Sequence, residues 1–252
     1  RLLSQEELEV RRHGRFVRKV GLVCPWWRRD IHIQDLSNFV PKGKTVRVGI
    51  DFGFTSSFTA ALAVAFHEET IYLFDGIYKK GLTTSMLANE LKQKFQDIYI
   101  TSWRGDSAQA EDIAELKRYG IPIEGVKKET GSTKENWDEY RAKLLQQFGQ
   151  ISHATGKPRL VIASHLIHED GGRMVHWFIQ EIENLRWKTV RTPDGDKIRS
   201  EWGDTQKDAL DALTYVLTSM PKQIEDEVKF GNIAKKMAEV PEEKLFDESG
   251  WY

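Results

Sequence analysis

The sequence predicts an α/β fold, a mixed sheet of three antiparallel strands followed by parallel strands, flanked by helices. Two observations carry this. Between Val46 and Asp75, three apolar segments are joined by connections too short for crossover helices, which makes them antiparallel neighbours. After Thr83, segments of helical period alternate with short apolar strands, the order that builds a parallel sheet with helices on its faces. No internal repeat competes with this reading.

In the first strand, 46–51, Val46, Val48 and Ile50 alternate with Arg47, Gly49 and Asp51, the period of two unlike faces, and the strand ends on an acid. Gly53 and the run Thr55, Ser56, Ser57 turn the chain into strands at 59–66 and 70–75. Thr83 or Thr84 starts a helix whose Met86, Leu87, Leu91 and Phe95 share a face. A fourth strand covers Ile98 to Ser102, with Asp106 close beyond its end. The next helix turns Ile113, Leu116 and Tyr119 inward and stops at Gly120. A fifth strand covers 121–126. Ser132 and Glu135 form a capping box for a helix through Phe148, closed by Gly149. A strand at 160–163 precedes a helix lined by Met174, Phe178, Ile182 and Leu185. Residues 187–202 read as a β-hairpin turning at Asp194 and Gly195. Asp204 or Thr205 caps the last core helix, which buries Leu210, Leu213 and Leu217 against the sheet edge.

Two flanking segments differ from this core. Residues 1–45 read as an arm, with a short helix over 6–13 started by Ser4 and Glu7. Arg1 to Asp30 carries eight Lys/Arg against four acids, so the arm is basic. Trp26 and Trp27 suit docking on the core better than base stacking. The core runs from 46 to 219. From Met220 onward, eight acids stand against five lysines, an acidic tail expected to lie on the surface or stay partly disordered.

Composition narrows the function classes. Charged residues make up 30% and hydrophobic residues 40% of 252 residues, as in ordinary globular chains. No apolar run approaches the roughly 20 residues of a membrane span, so no membrane partner is expected. Cys24 is the only cysteine, which excludes internal disulfides and four-Cys zinc sites and fits a reducing setting. With a net charge of -1, any nucleic-acid binding has to come from local basic patches or a metal. The run Lys42 to Thr45, KGKT, lacks the earlier glycine of a phosphate loop and precedes a strand, so it is rejected as one.

Four acids stand out. Asp51 closes the first strand and Asp106 lies just beyond the fourth, and strand ends carry sites in α/β sheets. Asp208 and Asp211 are three apart on one helix and point the same way. Read singly, Asp51 could be a turn cap, and the helical pair a solvated face. Together the four could surround one cavity, and hard oxygen ligands without a His or Cys cluster suit Mg²⁺ or Mn²⁺. Two such ions about 4 Å apart drive phosphodiester hydrolysis by activating water and stabilising the leaving oxygen. Carboxylates that close also repel, so neutralising Asp51 or Asp211 is expected to raise the melting temperature without metal.

Seven segments, in order between about Gly14 and Ser219, resemble the C-terminal nuclease domain of the large terminase subunit of tailed bacteriophages. GRFV and the aromatic stretch after it resemble the segment leading into that domain. VGIDFGFT resembles its first metal strand, and YLFDGIYKKGLT its third strand and turn. RGDSAQAEDIAELKRYGI is similar to DSAxPxxIxELxxxGI, with Ala110 replacing the usual proline. VKKETGS resembles KKGxGS, EIENLRWK resembles EFENYRWK, and DALDALTY resembles HxxDALRY, with Thr214 where Arg is common.

The resemblance implies an RNase H/RuvC-integrase-like fold and an endonuclease that cuts double-stranded viral DNA during headful packaging. It makes Asp51, Asp106 and Asp211 the catalytic metal-binding acids for two Mg²⁺ or Mn²⁺ ions, with Asp208 as an auxiliary ligand. It puts Lys127 and Lys128 near the site as phosphate contacts. It makes the 187–202 hairpin a guide for DNA through Lys188, Arg191, Lys197 and Arg199. The implied partners are DNA, an N-terminal ATPase domain, the portal protein and the small terminase subunit, in the host cell cytoplasm. The chain has no GxxxxGK[ST], so it reads as the nuclease domain alone, without ATPase activity. A resolvase or transposase nuclease of the same fold is the nearest rival. An actin- or sugar-kinase-like ATP-binding domain would need a second lobe.

Overall fold

The three apolar segments of the first third pair side by side and become the centre of a seven-stranded sheet. This computed structural model describes residues 21–127, 133–152, 155–170, 172–192 and 195–219. A helical turn, α1 (Arg29–His32), leads into β1 (Ile33–Gln34). The meander is β2 (Thr45–Asp51), β3 (Thr59–His67) and β4 (Thr70–Lys79). Then come α2 (Thr84–Lys94), β5 (Ile100–Asp106), α3 (Ala110–Arg118), β6 (Ile123–Val126), α4 (Lys134–Gly149) and β7 (Leu160–Ala163). A hairpin of β8 (Ile167–Asp170) and β9 (Arg173–His176) precedes α5 (Trp177–Asn184). A second hairpin, β10 (Trp187–Thr192) and β11 (Gly195–Trp202), precedes α6 (Asp208–Leu217).

The strand order is β1-β7-β4-β3-β2-β5-β6. β2 and β4 each run antiparallel to β3 between them, while β5, β6, β7 and β1 add in parallel at the two flanks. β3 sits at the centre, and its stretch from Ala60 to Ala65 is wholly buried, which is why it reads as an unbroken apolar run. Each face has its own core. Val46, Val48 and Ile50 of β2 pack with Leu87, Leu91, Ile113 and Leu116 of α2 and α3. Leu62, Val64 and Leu73 pack on the other face with Leu145, Phe178, Ile182, Leu210 and Leu213 of α4, α5 and α6.

Several expectations need correcting. Met86 on α2 is 49% exposed, and Tyr119 closes α3 at 37% exposed, so neither joins the core. Met174 is not helical: it lies on β9, exposed, because 167–176 pairs as a hairpin and α5 starts only at Trp177. His176 caps α5, its Nδ1 accepting from Ile179 N. The last core helix starts at Asp208, later than either Asp204 or Thr205 would set it.

The arm docks from residue 21 on. Leu22 bridges to Arg186, Val23 and Cys24 are buried, and β1 extends the sheet beside β7. Trp26 lies so close over Gly149 that a Cβ there would fall 2.1 Å from its ring. Trp27 stacks on His32, 4.9 Å between centroids, and His32 Nε2 is bonded to Gly149 O at 2.8 Å. The expected helix at 6–13, the Ser132 cap and the tail from 220 lie outside the described residues. Among the described residues, no helix is long and apolar enough to cross a membrane.

The largest correction concerns α6. It lies across the sheet face, against β2, β3 and β5, and not at the edge. All ten of its residues are buried. The close approach is possible because residue 49 has no side chain: a Cβ on Gly49 would sit 2.0 Å from the backbone oxygen of Ala212. Gly49→Ala is therefore expected to push α6 off β2, at the upper end of the roughly 1–3 kcal/mol typical of overpacked cores. Urea unfolding of the variant, read as a lower midpoint at unchanged slope, checks this.

Candidate active site

Asp51 and Asp106 end two neighbouring parallel strands, and the register that pairs Ile50 with Gly105 sets the two acids abreast. α6 crosses above them with Asp208 and Asp211 in its first turn. One turn on, Tyr215 reaches down: its hydroxyl lies 3.5 Å from Asp51 Oδ1 and 3.3 Å from Asp106 Oδ2. The structure thus brings all four sequence-selected acids to one end of the sheet. Asp75, on β4, pairs instead with Lys94 at 2.8 Å.

Each acid is held differently. Asp208 Oδ2 accepts from the Phe58 amide at 3.1 Å. Asp211 is bound by two cations, with Arg141 on Oδ1 and Lys207 Nζ 2.8 Å from Oδ2. Arg141 also binds Asp138, whose other oxygen accepts from Trp202 N at 2.9 Å, and its guanidinium lies 4.0 Å over the Trp202 ring. The foot of the β10–β11 hairpin is thereby tied to Asp211 through one arginine.

Electrostatics mark Asp51 as the stressed member. Burial raises its pKa well above the ordinary 3.8, and the charges of Asp211, Asp208 and Asp106 add to this, with Lys207 opposing. Asp208 is raised too, first by burial and then by Asp211, while the Phe58 amide pulls it back. Burial pushes the Tyr215 phenol up, as do the charges of Asp51, Asp211 and Asp106, so it stays a protonated donor.

Among the described residues, no three His, Cys, Asp or Glu side chains form a ready-made cation cage. Chain donors stand between the acids: Tyr215 between Asp51 and Asp106, and Arg141 and Lys207 against Asp211. The chemistry still fits a hard divalent cation. The donors are carboxylate oxygens, and like charges raise the buried Asp51, a state that a cation relieves.

The basic residues fare less well. Lys127 is exposed just after β6, and Lys128 lies outside the described residues. Lys188 is half-buried and faces Glu201 across the hairpin at 3.7 Å. Arg191, Lys197 and Arg199 lie on the paired strands β10 and β11, and their side chains are outside the description.

Sequence reasoning missed Tyr215, Arg141, Lys207 and Glu181. Glu181, 1% exposed, caps α6 from outside: its Oε1 accepts from Ala209 N and Oε2 from Leu210 N, while the Tyr78 hydroxyl donates at 2.6 Å. That satisfies two of the orphan amides of a buried helix start. Burial pushes Glu181 up to about 8 against these donors. The signal was present in EIENLRWK, read only as a likeness and not as a buried acid on an apolar helix face.

No protein-family model matches the chain, and no curated protein does. Solved structures do. The nuclease domain of the g2p large terminase from bacteriophage SPP1, with bound Mn, matches at TM-score 0.53 and 20% identity over 73% of this chain and 93% of that one. The chain has the fold of the phage large-terminase nuclease domains. The large terminase of the thermophilic bacteriophage D6E matches at TM-score 0.58 and 17% identity, over 79% of this chain but only 44% of its own length. The P22 large terminase nuclease domain matches at TM-score 0.51 and 16% identity, over 78% and 90%. The expected RNase H-like sheet is thus present, although at these identities the likeness is one of fold.

The contacts separate two variants that the sequence treated alike. Without metal, Asp51→Asn removes the stressed charge and is expected to melt higher than wild type, by the roughly 2–4 °C that about 1 kcal/mol produces in a domain of this size. Asp211→Asn leaves the buried Arg141 with Asp138 as its one remaining carboxylate and is expected to melt lower, by less than the roughly 3–5 kcal/mol lost when a buried charge keeps no partner. The pH dependence follows from the raised Asp51. The native state keeps its proton to higher pH than the unfolded chain, so the stabilisation is complete below the ordinary 3.8 and is lost as pH rises through the raised value. Melting curves in EDTA between pH 4 and 8 should fall with pH in wild type and fall less steeply in Asp51→Asn, where the raised Asp208 and Glu181 remain.

Proposed function

We propose that this chain is a metal-dependent endonuclease that cuts double-stranded DNA with little sequence preference, in a headful genome-packaging motor. The carrying observation is Asp51 and Asp106 abreast on neighbouring parallel strands, with Asp211 on the helix that crosses them. The fold shared with terminase nuclease domains supports the same reading.

Asp51, Asp106 and Asp211, with Asp208 beside them, would hold one or two Mg²⁺ or Mn²⁺ ions. Bound there, such ions supply a water of lowered pKa and stabilise the leaving oxygen of a phosphodiester. The Tyr215 hydroxyl stands between Asp51 and Asp106, a donor to either one. Arg141, itself locked by Asp138 and Trp202, holds the Asp211 carboxylate in one orientation. Lys127 and Lys128 would meet backbone phosphate at the mouth of the site. The β10–β11 hairpin, footed on Arg141, would guide the duplex with Lys188, Arg191, Lys197 and Arg199. Among the described residues no element resembles a base-reading module, in keeping with cutting at phosphates of any sequence.

The chain spans 44% of the D6E large terminase it matches. The partners of a whole motor are therefore part of the proposal: an ATPase domain N-terminal to this one, the portal protein and the small subunit, in the host cell cytoplasm. Weak, salt-sensitive DNA binding is expected of the nuclease domain by itself, because its formal net charge is -1.

Incubation of plasmid DNA with the protein tests the reading. Cleavage should require Mn²⁺ or Mg²⁺ and stop in EDTA. Asp51→Asn, Asp106→Asn and Asp211→Asn should each reduce it by at least the roughly 10²-fold lost with a key electrostatic group. Asp208→Asn should weaken it less. Cutting that persists in EDTA, or near-normal cutting by Asp106→Asn, would overturn the proposal.

A further inference from the structure

Both oxygens of Asp211 are taken by cations from the chain itself, and the two cations are unlike. Arg141 is 5% exposed at its side chain. Its guanidinium is shared with Asp138, lies over Trp202 at 4.0 Å and is 5.7 Å from the Trp137 ring. Moving it off Asp211 would also pull it from Asp138 and Trp202, where it is buried and locked, a costly change. The Lys207 side chain is 30% exposed, and the one hydrogen bond of its amine among the described residues is to Asp211 Oδ2, at 2.8 Å. Its four-carbon stem lets the amine leave for water at little cost.

We propose that Lys207 is a releasable counter-ion that occupies Asp211 until a divalent cation displaces it, whereas Arg141 stays bound to the other oxygen. The inference rests on the reading of Asp211 as a metal ligand. Three observations support it. Asp211 is 6% exposed on a wholly buried helix, close to the other acids, so its charge has to be balanced with or without metal. Only one of its oxygens is held by a group that can move. Lys207 lies at the N-cap position of α6, one turn from Asp211, so its own backbone stays in place when the amine swings away. In this arrangement the metal competes with an ammonium group already in the site, which lowers apparent metal affinity and keeps the metal-free fold together. The freed amine then lies beside the site, where a phosphate is its natural partner.

Calorimetric titration of Mn²⁺ into the metal-free protein tests this directly. Lys207→Met, which keeps the stem and removes the charge, should bind Mn²⁺ about three- to tenfold more tightly, the ratio that roughly 0.7–1.4 kcal/mol of lost competition produces. Lys207→Arg, which restores a cation, should return to within about twofold of wild type. In EDTA, Lys207→Met should melt lower than wild type. Equal or weaker Mn²⁺ binding by Lys207→Met overturns the inference. A readout that needs no variant is the Lys207 side chain in wild type, followed by NMR during Mg²⁺ titration. Its signals should change from ion-paired to free, and signals unmoved at saturating Mg²⁺ overturn the inference as well. If wild type takes up no divalent ion at all, the metal reading of the site fails first, and this inference fails with it.

Discussion

Burial of α6 is the constraint on which the rest of this structure depends. A helix that presents two aspartates in its first turn would ordinarily keep that end in water. Here it is pressed against β2, with no side chain at Gly49 to hold it off. Everything charged or polar at its start must then be satisfied within the protein. Glu181 takes up two amides of the helix end, the Phe58 amide binds Asp208, and Arg141 and Lys207 bind Asp211. Each is the answer to one cost created by the same close packing.

The charge arrangement couples distant parts of the chain. Asp138, Arg141 and Asp211 run from α4 to α6, and Trp202 adds the foot of the second hairpin through both its amide and its ring. A displacement of that hairpin therefore acts on the carboxylate of Asp211 through a single guanidinium. On the other side, Tyr78 stacks between Phe58 and Trp177, at 4.3 and 5.2 Å, and its hydroxyl anchors Glu181. The aromatic packing of β4 thus helps fix where α6 begins.

Much of this was legible in the sequence, for identifiable reasons. Strand alternation in 46–51 and the short connections after it dictate the meander, because no crossover can be made in so few residues. The order of motifs around Asp51, Asp106 and Asp211 resembles the nuclease domains whose fold the chain has. Failures fell where local pattern and tertiary contact disagree. Met174 matched a helical period but lies on β9, since a strand partner at 167–170 outcompeted it. α6 starts later than the local sequence indicates because its cap comes from Glu181, 27 positions before Asp208, instead of from a neighbouring Asp or Thr.

The sequence by itself determined the meander, most of the helix and strand order after it, the mixed α/β sheet and the choice of four candidate acids, which follow from local periodicity, turn chemistry and residue type, while the nuclease-type fold followed from a resemblance of motifs. Only the tertiary structure decided which groups face those acids. Arg141 and Tyr215 carry no signal of their own as site residues. Their roles arise because a buried helix brings residues 70 and 164 positions apart within bonding distance. Charge balance in a buried site is a property of the whole neighbourhood, and a neighbourhood exists only once the chain has folded.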